Sequence, residues 1–184
     1  NIQLLGTAPL TSMFFYGENT PRPTGEWRQE VHDSDGLQIH DAISGEWLWR
    51  PLLNPLTLEM DFFSTDKVQG FGLLQRDDNF KDYEDLGAVY EKRPSAWVEP
   101  QNDWGQGKVV LVQLPTPQET NDNIVAFWTP KTPVTPETPL SLAYDVNFGT
   151  SDISGNPMGT VLHTFIRDGN RIGGGKVPNA YRII

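Results

Sequence analysis

An all-β fold, best read as a two-sheet β-sandwich, follows from three observations on the 184-residue chain. Apolar stretches are short, several alternate with a period of two, and Gly (17) and Pro (15) punctuate them. Helical periodicity is weak throughout. A closed barrel is the alternative way to pair such strands.

The strands are expected in this order. Leu10 to Tyr16 reads as a buried strand and Leu37 to Ile39 as another. Leu56, Leu58, Met60 and Phe62 alternate over 56–63, the pattern of a half-buried strand. Gly70 to Gln75 follows. Over 109–114, Val109, Leu111 and Gln113 share one face and Val110, Val112 and Leu114 the other. Asn123 to Thr129 and Leu140 to Phe148 complete the set. Asp77 to Tyr90 holds one or two short helical turns, from its acidic start and aromatic spacing. Pro130, Pro133, Pro136 and Pro139 recur every third position, which favours an extended link or a long edge connection. Residues 151–184 are rich in Gly, Asn and Pro and read as a tail or inter-domain linker.

Composition narrows the function. Hydrophobic residues at 37% and aromatics at 11% support a packed core. The net charge of -10 repels phosphate backbones and anionic membranes, so nucleic acid is not an expected partner, while a neutral polymer such as a glucan is permitted. There is no cysteine, hence no disulfide and no thiolate chemistry. No apolar run is long enough to span a bilayer, Asn1 to Leu10 lacks the features of a signal peptide, and no internal repeat of solenoid length stands out.

Three constellations carry chemistry. Glu30-Val31-His32-Asp33-Ser34-Asp35-Gly36 gathers carboxylates and a histidine before a glycine turn. Glycoside hydrolysis needs two such carboxyl groups on opposite sides of the bond, but the string also reads as an Asx-turn loop, and it lacks the further ligands of a calcium loop. Glu119 to Asn123 runs into the apolar Ile124 to Trp128. Apolar walls there would desolvate a carboxyl and raise its pKa, as a general acid requires; a polar loop before a core strand is the plainer reading. Third are the aromatics. Trp47 and Trp49 share a strand face, while Tyr90, Trp97 and Trp104 sit in loop-like surroundings. Flat rings suit sugar C–H faces, and core packing is their other use. Arg50 beside them suits hydroxyls or a carboxylate. His32, His40 and His163 have no metal-site spacing, there is no Gly-x-Ser-x-Gly elbow, and Gly173-Gly174-Gly175-Lys176 lacks the Ser/Thr and context of a phosphate loop.

Whole phrases carry a further signal. Ala8 to Gly17, Glu30 to Leu37, Gly45 to Leu52, Gln69 to Arg76, Tyr83 to Leu86, Arg93 to Val98, Asp103 to Gly105 and Glu119 to Trp128 resemble, in order and spacing, the periplasmic glucan biosynthesis family (MdoG and MdoD, also called OpgG and OpgD). The resemblance implies a β-sandwich like that of galactose mutarotase, followed by an immunoglobulin-like domain, in a longer parent with a signal peptide. Residues 1–149 resemble the later half of the larger domain. Residues 150–184 are then a linker or tail toward the immunoglobulin-like domain.

The resemblance also implies a function in the periplasm of a Gram-negative bacterium, on the β-1,2-linked backbone of osmoregulated periplasmic glucans. By motif position Asp122 is the general acid and Asp33 the general base of an inverting endo-β-1,2-glucanase, and Glu119 and Tyr90 line the groove. Trp47, Trp49, Arg50, Arg93 and Trp97 are taken as further substrate-binding residues. No metal or other cofactor is expected. The alternatives are a non-catalytic module guiding β-1,2-glucan to other periplasmic glucan biosynthesis proteins and, from fold analogy alone, an aldose epimerase.

Overall fold

The computed structural model describes residues 5–18, 20–137, 139–159, 166–170 and 173–183. Its strands are β1 (Thr7–Ser12), β2 (Phe14–Tyr16), β3 (Val31–His32), β4 (Gly36–Asp41), β5 (Trp47–Pro51), β6 (Glu59–Thr65), β7 (Val68–Leu74), β8 (Ser95–Pro100), β9 (Gly107–Gln113), β10 (Ile124–Pro130), β11 (Tyr144–Gly149), β12 (Ile166–Asn170) and β13 (Lys176–Ile183). Among the described residues, helix is confined to α1 (Phe80–Tyr83) and two 3₁₀ turns, Tyr90–Lys92 and Ser151–Ser154. The side chain of Asn79 caps the first turn of α1, and Glu84 in a left-handed conformation ends it. None of these is long and apolar enough to cross a membrane.

Two antiparallel sheets stack, as the alternation predicts. One has the order β1-β10-β9-β6, the other β11-β8-β7-β4-β5. Their inner faces form the core: Leu10, Val109, Leu111, Ile124, Ala126 and Trp128 from the first meet Leu37, Ile39, Phe71, Leu73 and Val98 from the second. Each such fully buried aliphatic side chain contributes roughly 1.5–3 kcal/mol. Trp104, read from the sequence as loop-like, is 5% exposed and packs on Trp128 at 5.2 Å between ring centres. Trp97, read likewise, lies within β8 and is 4% exposed.

The 56–63 strand alternates as expected but faces the other way. Leu56, Leu58, Met60 and Phe62 are 98%, 55%, 41% and 53% exposed, while Asp61, Phe63 and Thr65 turn toward the other sheet. A period of two identifies residues that share a face, not which face is covered. Over 151–184, where a tail or linker is expected, β12 and β13 pair as an antiparallel ribbon, and the Ser151–Ser154 turn packs on β7 and β8. His163 lies outside the described residues.

The outer face of the five-stranded sheet is aromatic. Glycines make the room: a Cβ on Gly36 would lie 2.0 Å from the Trp49 ring, and one on Gly70 2.3 Å from that of Trp97. Gly36 pairs with β5 and Gly72 with Trp97 across the ladder, so the rings of β5 and β8 lie down over β4 and β7.

Candidate active site

The acidic segments of the sequence meet through one dipeptide. The Asp33 N–H donates to the carbonyl of Met13 at 2.8 Å. The buried Asn123 side chain clamps Phe14, accepting from its N–H at 2.9 Å and donating to its carbonyl at 3.0 Å. Asp33 and Asp122 therefore flank Met13–Phe14 from two loops remote in sequence. They are near enough for the charge of Asp122 to act on Asp33, whose carboxyl is pushed above the ordinary range by burial first and by Asp122, against Arg93 and His32. Asp122 itself is exposed. The desolvation expected at Asp122 is thus met at Asp33 instead, because the 115–122 loop runs over the surface before β10 turns inward.

Around this pair stand three of the residues the sequence nominates. Arg93 places its Nε 3.3 Å from Asp33 Oδ1, in ion-pair range but without hydrogen-bond geometry. It also lies over the Tyr90 ring, 5.5 Å from its centre. Tyr90 is 4% exposed, and burial and then Glu119 push its hydroxyl up to about 12. Glu119 lies 2.7 Å from an Arg28 nitrogen.

Arg28 is a residue the sequence reading missed. It is 6% exposed and also binds Glu26 at 2.7 Å and Asp85 at 2.9 Å. No local signal marks it, because only Glu26 is close in sequence. Asn123 was missed for the same reason: a buried asparagine before a core strand reads as loop until its partner Phe14 is known.

Behind Asp33 lies a buried polar cluster. His32 bonds Glu30 through Nε2 at 2.8 Å and Gln75 through Nδ1 at 2.9 Å, and it stacks on Phe14 at 5.3 Å. Asp77 completes a group compact enough to be weighed as a cation site. Both ring nitrogens already have partners, so the histidine offers no free lone pair and the group fits hydrogen bonding better than metal ligation. Burial, then Asp35, raise Asp77 to about 9. Asp35 rises to about 6 through burial, opposed by His32.

The remaining nominated residues lie elsewhere. Trp47 and Trp49 are half-buried on the outer face of the five-stranded sheet, with Trp47 stacked on His40 at 3.9 Å and 6.1 Å from Trp97. Arg76 lies 3.3 Å over the Trp49 ring. A cavity of about 430 Å³ opens there, lined by Gln38, Trp47, Trp49, Arg76 and Met158 among others. Arg76 joins the two areas, since its N–H donates to Asp35 at 3.2 Å. Arg50 does not join the tryptophans. Strand alternation turns it inward, where it pairs with Asp61 of the opposite sheet at 3.1 Å.

An antiparallel sandwich that brings two aspartate-bearing loops together, beside a cation and away from a tryptophan-lined sheet face, narrows the class of protein. Comparison with known proteins makes the class specific. The family model described as "Periplasmic glucan biosynthesis protein, MdoG" matches residues 1–182, and the chain belongs to that family. The match reaches well past Phe148, further than the phrases legible in the sequence. The chain is 51% identical over 172 residues to the probable glucans biosynthesis protein D of Shewanella oneidensis, covering 94% of this chain and 32% of that protein. It is 57% identical over 144 residues to glucans biosynthesis protein G of Ralstonia nicotianae (78% and 28% covered). To glucans biosynthesis protein G of Serratia proteamaculans it is 58% identical over 144 residues (78% and 27% covered). The chain therefore spans about a third or less of the length of these relatives.

Proposed function

We propose that this chain carries the catalytic region of a protein that acts in the periplasm on the β-1,2-glucan backbone during glucan biosynthesis, as an inverting endo-glucanase. The observation that carries the reading is the meeting of the Asp33 turn and the Asp122–Asn123 loop at Met13–Phe14, in a chain of the glucan biosynthesis family. Asp33 serves as the base. Arg93 in front and His32 behind favour its ionised form against burial and Asp122. Asp122 serves as the acid: it stands exposed, and a glucan laid across the site buries it and promotes proton donation to the glycosidic oxygen. Water activated by Asp33 attacks the anomeric carbon in one displacement, so configuration inverts. Glu119, Tyr90 and Arg93 line the site, and Trp47, Trp49 and Trp97 offer a further aromatic surface for the polymer.

In the same reading, residues 1–149 are part of a larger sandwich domain and residues 150–184 lead toward a further, immunoglobulin-like domain. Other periplasmic glucan biosynthesis proteins are the expected partners.

Linear β-1,2-glucan incubated with the full-length protein should be cut internally, and the new reducing ends should appear first in the inverted anomeric form by NMR. Asp122→Asn should lower the rate by roughly two or more orders of magnitude with little change in glucan affinity. An Asp122→Asn protein with full hydrolytic activity removes the mechanism. Glucan binding without cleavage by the unaltered protein leaves the binding-module reading, which the tryptophan face supports.

A further inference from the structure

The hydrogen bonds around His32 determine its protons. The amide nitrogen of Gln75 is directed at the carbonyls of His32 (3.2 Å) and Tyr90 (3.3 Å) and at the Tyr83 hydroxyl (2.6 Å). Only an N–H can face two carbonyl oxygens. The Tyr83 hydroxyl is consistent with this, since its own hydrogen goes to the Asp77 carbonyl at 2.9 Å and leaves a lone pair toward Gln75, whose two hydrogens are shared among the three oxygens. The amide of Gln75 therefore cannot be flipped, and its oxygen faces His32 Nδ1 at 2.9 Å, so Nδ1 carries a hydrogen. At the other nitrogen, Nε2 meets Glu30 Oε2 at 2.8 Å. One proton lies in that bond. Imidazole is ordinarily the stronger base of the two side-chain types, which assigns that proton to the ring as well.

The surroundings favour this. Among the described residues, the titratable groups around the ring are Glu30 before β3, Asp33 and Asp35 after it, Asp77 from the segment after β7 and Tyr83 of α1, with Arg76 acting on Asp35. Carboxyls predominate among them. Burial works against the charge, but the Glu30 hydrogen bond and Asp35 outweigh it and raise the histidine above its ordinary range.

We propose that His32 is held as a standing imidazolium behind Asp33 and acts as a positioning residue, fixing the turn that presents Asp33 and keeping its carboxyl ionised. Backbone and ring act together. Phe14 and His32 pair across β2 and β3 and their rings stack, while the next residue, Asp33, bonds Met13. The role assigned to Asp33 rests on the hydrolase reading; the charge on His32 does not.

The test uses the full-length protein labelled with ¹⁵N-histidine, with the His32 signals identified by their loss in His32→Gln. Both ring nitrogens should be protonated at neutral pH and stay so well above the ordinary range of a histidine. In Glu30→Gln the ring should revert to one protonated nitrogen, Nδ1, by about pH 7. The Asp33 carboxyl, followed by ¹³C shift, should titrate higher in His32→Gln, because a nearby positive charge is gone. If the protein cleaves glucan, the acidic limb of its kcat/KM profile should move up by the same amount; a purely structural histidine would lower activity at every pH without moving that limb. A single protonated ring nitrogen at neutral pH in the unaltered protein overturns the proposal, as does a metal-type shift at Nε2 or an Asp33 titration that His32→Gln leaves in place. Should His32→Gln not fold, Glu30→Gln decides the charge. A protein inert toward glucan defeats the hydrolase reading alone, since the nitrogen and carboxyl titrations still decide this one.

Discussion

At the acidic end, Arg28 holds Glu26, Asp85 and Glu119 at 2.7–2.9 Å, His32 bonds the side chains of Glu30 and Gln75, and Gln75, Tyr83 and Asn123 tie the neighbouring backbone with side-chain hydrogen bonds. On the outer face of the five-stranded sheet, Trp49 and Trp97 are placed by the absence of side chains at Gly36, Gly70 and Gly72. The first region is held by charge and direction, the second by shape. The difference teaches where each is fragile. A network of buried charges fails when one partner is lost, because the others stay buried without compensation. A ring resting on glycine fails when anything is added beneath it. Five substitutions probe the contrast.

The largest effect is expected from Arg28→Met. It strands three carboxylates, and by the usual cost of breaking a buried ion pair it should lower stability by about 3–5 kcal/mol at neutral pH in denaturant titrations. Its pH dependence has a definite sign. Hydrogen bonds from Arg28 hold Glu26 below its ordinary value, and backbone hydrogen bonds, then Arg28, do so for Asp85. Their contribution is present above the unfolded carboxylate range and lost as pH falls through the lower folded values. The gap between Arg28→Met and the unaltered protein should therefore narrow below about pH 4. A constant gap would mean that Arg28 acts by packing, as the tryptophans do.

Gly72→Ala comes next. Its methyl would lie 2.2 Å from the Ala96 carbonyl oxygen and 2.8 Å from the Trp97 ring, and the oxygen belongs to the β8 backbone. A loss of about 1–3 kcal/mol in thermal or chemical unfolding is expected, independent of pH. At Gly36 the obstacle is the Trp49 ring. Gly36→Ala should instead show as altered tryptophan fluorescence and weaker glucan binding.

Asp77→Asn should act more gently and through pH alone. The folded carboxyl is raised to about 9 by burial and Asp35. Its contribution is complete below the unfolded value of about 4 and is lost as pH rises toward the folded one. Melting temperature followed from acid to alkaline pH should thus fall less steeply in Asp77→Asn. An unchanged slope would place the buried proton on another member of the cluster.

Phe62→Ser should be the smallest, within about 0.5 kcal/mol in the 184-residue chain, since the ring is 53% exposed on the outer face of β6. That face carries Met60 and Leu58 as well. If the remainder of a family-length protein covers it, as the larger-sandwich reading requires, the same change should cost about 3 kcal/mol there. Equal, small losses in both would leave the apolar face uncovered and count against that reading.

Much of the architecture was legible in advance. Alternation in 109–114 and the short apolar runs at 70–75 and 123–129 marked strands that the structure contains, while the run at 10–16 is split at Met13 between β1 and β2 in different sheets, because a strand facing one core writes its period into local sequence but its pairing partners do not. The family phrases were legible for the same reason, being contiguous. Which face of 56–63 meets the core was not legible, since alternation is symmetric between faces and only the partner sheet breaks the tie. Nor was Arg50, whose carboxylate waits on the opposite sheet.

The sequence by itself determined that this chain is all-β, that Asp33 and Asp122 lie in acidic segments beside core strands, and that Trp47 and Trp49 share a face. Those properties are set by residue type and by spacing along a single strand or loop. Tertiary structure alone decided that the Asp33 turn and the loop carrying Asp122 and Asn123 meet at Met13–Phe14, that Arg28 gathers carboxylates from three segments, that both ring nitrogens of His32 have partners, and that tryptophans lie over glycines of the neighbouring strands. Each depends on atoms remote in the chain but within a few ångströms in space, and a hydrogen bond, a Coulomb interaction or a steric contact is a function of distance in space.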